Sequence, residues 1–298
     1  AVYVPTATMA NEIALRIHGD RGDEVIAEEN AHIFVSELGG PAVHAGLMTR
    51  PIRCPNGRFT PEQIRETFRR GDNTHTPATR IVSVENTHNA SGGRVWPLDE
   101  LDAVVATGRE LELRLHLDGA RLLNAAVALG VSAAEIGGRF DTVTLCLSKG
   151  LGCPLGALVA GSPERMVKAR RLKHLFGGAM RQAGIVAAAG VYALEHNVDR
   201  LAEDHARARR LAEGLYDGGV PVQLEQVETN FVQVDVGPLG LAPEEALERL
   251  MRQGVGLSMT VHPTKLRAVT HLDIDDEDVE RAIELIPRAL GAVARARA

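Results

Sequence analysis

An α/β fold with a mainly parallel sheet, followed by a smaller α+β domain, is what this sequence predicts, and three observations carry the prediction. Through about residue 160, short apolar runs alternate with longer stretches at helical spacing, the pattern of strands joined by crossover helices. After Gly218-Gly219 the pattern changes to shorter strands set between helices. Aromatic residues make up only 3% of the chain, so the core must be built from Val, Leu, Ile and Ala, as suits a sheet covered on both faces. A chain of 298 residues favours two domains, which the change of pattern places at 1–209 and 210–298.

The elements follow in order. The opening run AVYV reads as a strand, and the small-residue turn Pro5-Thr6-Ala7-Thr8 leads from it into a helix over 8–18. Strands are predicted over 23–28 (DEVIAE), 43–48, 80–85 (RIVSVE), 113–118 (LRLHLD), 142–147 (TVTLCL) and 156–161 (GALVAG). Between them, helices are predicted over 31–38, 60–70, 98–107, 120–129 and 163–173. The start Thr60-Pro61-Glu62-Gln63 combines a cap residue, a Pro at the first helical position and a Gln at the third. Two helices, 181–195 and 198–217, lead into the second domain, the latter with Leu201, His205, Ala208, Leu211 and Leu215 on one stripe. That domain is read as strands at 229–236, 256–259 and 266–270 with helices at 243–252 and 276–295, the chain end GAVARARA fraying from the last of them.

Composition excludes several classes. With 33 Lys plus Arg against 39 Asp plus Glu, the formal charge is −6, the wrong sign for a nucleic-acid-coating protein. No apolar run reaches the length of a membrane span, so neither nucleic acid nor membrane is an expected partner. Three cysteines, Cys54, Cys146 and Cys153, match neither a CxxC pair nor a zinc knuckle. With no targeting segment, the expected compartment is a reducing cytoplasm. The chain opens without Met on an apolar strand, and the expectation is that further residues precede it in the natural protein.

The residues able to carry chemistry gather where strands end. Lys149 stands in the glycine-rich turn Ser148-Lys149-Gly150-Leu151-Gly152 directly after the strand 142–147, where open α/β sheets place their ligands. Beside apolar surface its amine would lose solvation and become nucleophilic, whereas in the open it would be an ordinary solvated lysine in a turn. Asp118 ends the strand LRLHLD and is followed by Gly119, Ala120 and Arg121. Such a carboxylate can pair with a cationic ring nitrogen while the arginine takes an anion, or it can simply cap the next helix. Asp118 and Lys149 are one strand-helix-strand unit apart, so both open on the same sheet edge. Pro5–Asn11 offers free backbone N–H groups and hydroxyls at a helix start, a phosphate cradle that is neither a Rossmann fingerprint nor a Walker loop. His32 and His88 also lie just beyond strand ends, able to exchange protons or merely to brace loops, and no spacing supports zinc or another metal.

ENTHN (85–89), LHLDGAR (115–121), CLSKGLGCPLGALVAG (146–161) and GGAMRQAG (177–184) together closely resemble the low-specificity L-threonine aldolases, and the similarity runs along essentially the whole chain. The resemblance implies a pyridoxal 5'-phosphate enzyme of the aspartate-aminotransferase-like fold, fold type I, acting as an aldehyde-lyase. Its reaction would be cleavage of L-threonine or L-allo-threonine to glycine and acetaldehyde. It further implies that Lys149 is the Schiff-base lysine, Asp118 the partner of the pyridinium nitrogen and His32 the histidine stacked on the cofactor ring. His88 would face the substrate hydroxyl and remove its proton, and Arg121 and Arg267 would anchor the substrate carboxylate. Ala7 and Thr8 match the phosphate-binding turn, although the family commonly has Gly at Ala7. Arg181 matches an arginine expected to serve the phosphate, across a subunit boundary. The expected partners are small β-hydroxy-α-amino acids and further copies of the chain, in a dimer or a dimer of dimers (a homotetramer). Family members also carry roughly fifty residues ahead of this chain's Ala1, which contribute to the substrate site. Two other readings share the lysine and aspartate: an aminotransferase or β-eliminating lyase of the same fold, and a catalytically silent cofactor-binding fragment.

Overall fold

The computed structural model describes residues 1–294. In chain order its strands and helices are β1 (Val2–Val4), α1 (Ala7–His18), β2 (Glu24–Glu28), α2 (His32–Val35), β3 (Met48–Ile52), α3 (Pro61–Thr67), β4 (Thr79–Glu85), α4 (Leu98–Glu110), β5 (Arg114–Gly119), α5 (Leu122–Leu129), α6 (Ala133–Gly137), β6 (Thr142–Cys146) and β7 (Ala157–Gly161). They continue with α7 (Pro163–Leu175), α8 (Gly184–His196), α9 (Leu201–Asp217), β8 (Phe231–Asp235), α10 (Pro243–Arg252), β9 (Ser258–Met259), β10 (Lys265–Val269) and α11 (Asp276–Leu290). The chain divides into two compact units, Ala1–Ser91 with Val95–Val198, and Gly92–Arg94 with Asp199 onward. The sequence reading put the division inside α9. That helix lies whole in the second unit because Ala208, Leu211, Ala212 and Leu215 pack into the second unit's core.

The first unit holds a seven-stranded sheet in the order β1-β7-β6-β5-β4-β2-β3. The pairs β2/β3, β2/β4, β4/β5 and β5/β6 are parallel, whereas β7 runs antiparallel to both β6 and β1. Six strands therefore point one way and only β7 opposes them. Both faces are covered, which explains runs that are apolar without alternation. Val25, Ala27 and Ile81 pack with Leu15 and Leu47 on one side, while Ile26, Val82, Val84, Leu115 and Leu117 pack with Leu101, Val104 and Leu122 on the other. Each of these larger side chains stabilises the fold by about 2 kcal/mol through area removed from water.

Several expectations change at the level of single elements. The strand expected over 43–48 is a π-helical turn, Pro41–Ala45, and the strand begins only at Met48. The helix expected over 31–38 is one turn, His32–Val35, capped by Ser36, and Leu38 and Gly39 beyond it take positive φ. Helix α6 was not anticipated, although Ser132 and Glu135 form its reciprocal capping box. The capping box at Thr60 and Gln63 forms as the sequence suggests. Helix α11 ends at Leu290 with Gly291 in the left-handed region, and the last of the residues assigned to it from sequence, Arg295, lies outside the described residues.

The second unit has a three-stranded antiparallel sheet, β8-β10-β9, around which α9, α10 and α11 bury Leu211, Leu215, Leu250 and Ile286 against Val232, Val234 and Leu266. The short piece Gly92–Arg94 belongs to it: Thr229 donates to the Gly93 carbonyl at 2.9 Å and Arg94 pairs with Glu228 at 2.8 Å. A side chain on Gly93, at φ 76°, would meet Thr229, so the close approach requires glycine. No helix among the described residues is long and apolar enough to cross a membrane.

Candidate active site

The parallel strands β2, β4, β5 and β6 end at Glu28, Glu85, Gly119 and Cys146, and these carboxyl ends open on one edge of the sheet. Register pairs Glu85 with Asp118, so β4 and β5 present these two carboxylates side by side, and Asp118 with Thr144, two residues before the end of β6. Strand β1 points the same way as β6, which brings the turn from Val4 to Ala7 to this edge as well.

Lys149 lies three residues past β6 and is half-buried, and its amine has no hydrogen-bond or ion-pair partner among the described residues. Burial lowers its pKa from the ordinary value, and the positive charge of Arg121 lowers it further, against weaker upward pulls from Cys146, Asp118 and Glu85. Arg121, half-buried at the start of α5, also approaches the Asn89 side-chain oxygen at 3.5 Å.

Asp118 is buried, 2% exposed, and held from two sides. Asn11 of α1 donates to Oδ2 at 2.9 Å and the Ala120 N–H donates to Oδ1 at 3.1 Å. The Asn11 amide also donates to Glu37 Oε1 at 2.9 Å, so its own oxygen must accept, and it does so from His116 Nε2 at 3.2 Å. That choice leaves His116 Nδ1 to accept from the Thr142 hydroxyl at 2.9 Å, and Thr142 in turn accepts from His18 Nε2 at 2.8 Å. Burial keeps both histidines neutral, pushing His116 down to about 4 and His18 to about 3, as this donor order needs. A chain of oriented hydrogen bonds thus runs from α1 through the sheet to the Asp118 carboxylate.

His32 opens α2. Its backbone N–H donates to Glu85 Oε2 at 2.7 Å and its Nδ1 lies 2.8 Å from Glu37 Oε1. The Glu37 bond raises its pKa, burial opposes this, and the charges of Asp118, Glu37 and Glu85 add to the rise. His88 is buried at 1% exposure, and a methyl on Gly57 would overlap its ring. Nδ1 lies 2.9 Å from Ser91 Oγ and accepts from the Ser91 backbone N–H at 3.3 Å, and Nε2 lies 3.0 Å from Glu28 Oε2, a contact that becomes an ion pair when the ring is protonated. Burial pulls His88 down, but Glu85, Glu28 and Asp118 outweigh it and the net shift is upward.

At the other end of the set, Thr6 caps α1 by accepting from the Met9 N–H at 3.1 Å, and Ala7 and Thr8 occupy the first helical positions, where backbone N–H groups have no partner within the helix. Ala7 is not among the residues at positive φ, so its methyl stands without backbone strain. Arg181 is exposed in the turn before α8, and no contact ties it to this cluster. Arg267 belongs to the second unit, on β10, beside Ser258 and over the Phe231 ring at 4.8 Å. Sequence reasoning missed Asn11, Glu28 and Glu37. Their only signal is polarity inside stretches that are otherwise apolar.

Comparison with known proteins adds independent findings. A family model described as beta-eliminating lyase matches residues 1–237. The low specificity L-threonine aldolase of Escherichia coli K12 is 40% identical over 280 residues, covering 94% of this chain and 81% of its own length. A probable low-specificity L-threonine aldolase 2 of Arabidopsis thaliana is 39% identical over 287 residues, covering 94% and 80%. Among solved structures, a threonine aldolase of Leishmania major superposes with a TM-score of 0.82 at 21% identity, covering 97% of this chain and 83% of that one. An N-succinyldiaminopimelate aminotransferase of Mycobacterium tuberculosis gives 0.72 at 21% identity, covering 97% and 77%, and at that identity shares the fold alone.

Proposed function

Because the chain belongs to the low-specificity L-threonine aldolase family, within the beta-eliminating lyases, we propose that it is a pyridoxal-phosphate-dependent aldehyde-lyase cleaving L-threonine and L-allo-threonine to glycine and acetaldehyde. Within the structure, the observation that carries the reading is the placement of Asp118 and an unpartnered Lys149 amine of lowered pKa on adjacent strand ends.

The residues present fit the cofactor. Lys149 offers an amine that burial and Arg121 bias toward the neutral, nucleophilic form. Asp118 offers a carboxylate suited to a cationic ring nitrogen, and Ala7 and Thr8 offer free N–H groups for a phosphate. When bound, the cofactor supplies an electron sink for the pair left at Cα as the Cα–Cβ bond breaks. Lys149 would hold it through its amine and could exchange a proton at Cα. Asp118 would pair with the ring nitrogen and favour its protonated form, and the Asn11 and Ala120 donors hold Asp118 in orientation. Arg121, whose charge lowers the Lys149 pKa, would hold the substrate carboxylate. His88 would receive the β-hydroxyl proton at Nδ1 once the Ser91 hydroxyl and the long 3.3 Å Ser91 N–H contact give way there, and Glu28 at Nε2 would balance the charge that results.

The direct test is incubation with L-threonine in the presence of pyridoxal phosphate, followed by measurement of acetaldehyde and glycine. Amino transfer to a 2-oxo acid, or ammonia release from L-serine, with no acetaldehyde would overturn the reading. In the same assay Glu28→Gln is expected to lower kcat about tenfold or more. Losing the anion beside His88 lowers the histidine's pKa, so the acidic limb of kcat/KM moves to lower pH. An unmoved limb would show that Glu28 does not act through His88. Assembly as a dimer or dimer of dimers belongs to the same proposal. It is supported by the exposed Leu38, Val43, Ile185 and Tyr192 and is measured by light scattering.

A further inference from the structure

Beside the Asn11 link to Asp118 are two buried carboxylates, Glu12 and Glu37, that the reaction does not use. Glu12 follows Asn11 on α1 and is 2% exposed, and neither of its carboxylate oxygens has a hydrogen-bond donor among the described residues. Gly40 closes over it so tightly that a methyl there would overlap the carboxylate. Glu37, just past α2, is 5% exposed and unevenly served. Its Oε1 takes both Asn11 Nδ2 and His32 Nδ1, at 2.9 and 2.8 Å, whereas Oε2 has no donor. Two ionised carboxylates are disfavoured in such a site, where three of the four oxygens have no donor, because burial and mutual repulsion both oppose the second charge. One proton relieves both. It belongs on Glu12, since Glu37 already has two donors stabilising its anion and Glu12 has none.

We propose that Glu12 and Glu37 form a one-proton acid pair in which neutral Glu12 donates to Glu37 Oε2, and the Glu37 carboxylate fixes His32 in orientation with its proton on Nδ1. Both are positioning residues that act through His32. The inference rests on the proposed function only in that His32 would then stack on the cofactor ring, as the family resemblance implies. Other charged groups face His32 from the strands beside it, Glu85 on β4 and Asp118 on β5, while His116 on β5 is neutral. Burial, together with Glu37, pushes Glu12 up to about 9. An acid raised in the folded state binds its proton more tightly there than in the unfolded chain. Its contribution to stability is therefore complete below the ordinary value of 4.5 and is lost as pH rises toward 9.

The test uses the cofactor-free chain, so it does not depend on turnover. Histidine ring signals are titrated by NMR in the unsubstituted protein, Glu12→Gln and Glu37→Gln, and Tm is recorded across pH. Glu12→Gln, whose amide still donates, should leave the His32 midpoint within about 0.3 pH units, whereas Glu37→Gln should lower it by about one or more. The unsubstituted protein should lose about 5 °C or more of Tm between pH 6 and 9 relative to Glu12→Gln. A Glu12→Gln protein whose His32 midpoint falls below the unsubstituted value by about one unit or more would overturn the pair, as would parallel Tm profiles. The Tm comparison decides alone should Glu37→Gln fail to fold. With these results as expected and acetaldehyde absent from the cleavage assay, the acid pair stands and the proposed function falls.

Discussion

Replacing Lys149 with Ala is expected to lower the rate of threonine cleavage by at least about 10³-fold, a barrier increase of about 4 kcal/mol. The size follows from two losses at one position. The chain would no longer attach the cofactor covalently, and it would have no amine of lowered pKa beside the substrate Cα. The local fold gives little reason for collapse, because the amine has no partner to abandon among the described residues and the turn around it is held by backbone bonds. Gly152 N–H donates to the Lys149 carbonyl at 2.8 Å and Cys153 N–H to Leu147 at 3.2 Å, neither of which needs the side chain. The chain has three other lysines, which supply the control. Lys168 is exposed on α7 among Arg16 and Arg171, away from any strand end. After borohydride reduction, peptide mapping should find the cofactor on Lys149. Finding it on Lys168, Lys173 or Lys265 would sink the assignment.

Much of this geometry is legible in the sequence, for a definite reason. Lys149 and Asp118 are fixed by local rules: a buried strand, a turn after it, and a parallel sheet that brings successive carboxyl ends to one edge. What is not legible depends on long-range pairing. Asn11 and Asp118 are 107 residues apart, and nothing in the run MANEIAL says that Asn11 will bridge two carboxylates or that Glu12 will be sealed beneath Gly40. Residues Ala10 to Leu15 are all buried, because α1 is covered on every side by the sheet and its neighbours, so the usual polar face of a helix is missing. The misread strand over 43–48 has a local cause instead. Val43 and Leu47 are apolar, but Pro41 starts a turn that Gly46 ends in the left-handed region, and strand pairing waits for Met48.

Asp118→Asn, the other substitution with a large expected effect, should reduce kcat by at least about 10²-fold. The charge lost is the one proposed to hold a proton on the ring nitrogen, and without it the electron pair at Cα has a poorer sink at the moment the bond breaks. Shape is nearly preserved, but hydrogen bonding is not. Asp118 accepts from Asn11 at one oxygen and from the Ala120 N–H at the other, so an amide in its place must turn an NH₂ toward one of two existing donors. A lesser loss of Tm and of cofactor affinity is therefore expected alongside the loss of rate, and the two must be separated. Cofactor occupancy is measured from the visible absorbance of the loaded protein, and kcat is then taken per occupied site. A rate that recovers fully once occupancy is corrected would mean that Asp118 only helps to bind the cofactor. Asn11→Ala supplies the complementary case: it keeps the Asp118 charge but removes the donor that orients it and the link to His116. Its effect on kcat per occupied site should be the smaller of the two, because a charge slightly misdirected still favours the protonated ring, whereas a charge removed does not. If Asn11→Ala costs as much as Asp118→Asn, orientation through α1 matters as much as the charge itself, and the electron-sink account of Asp118 fails.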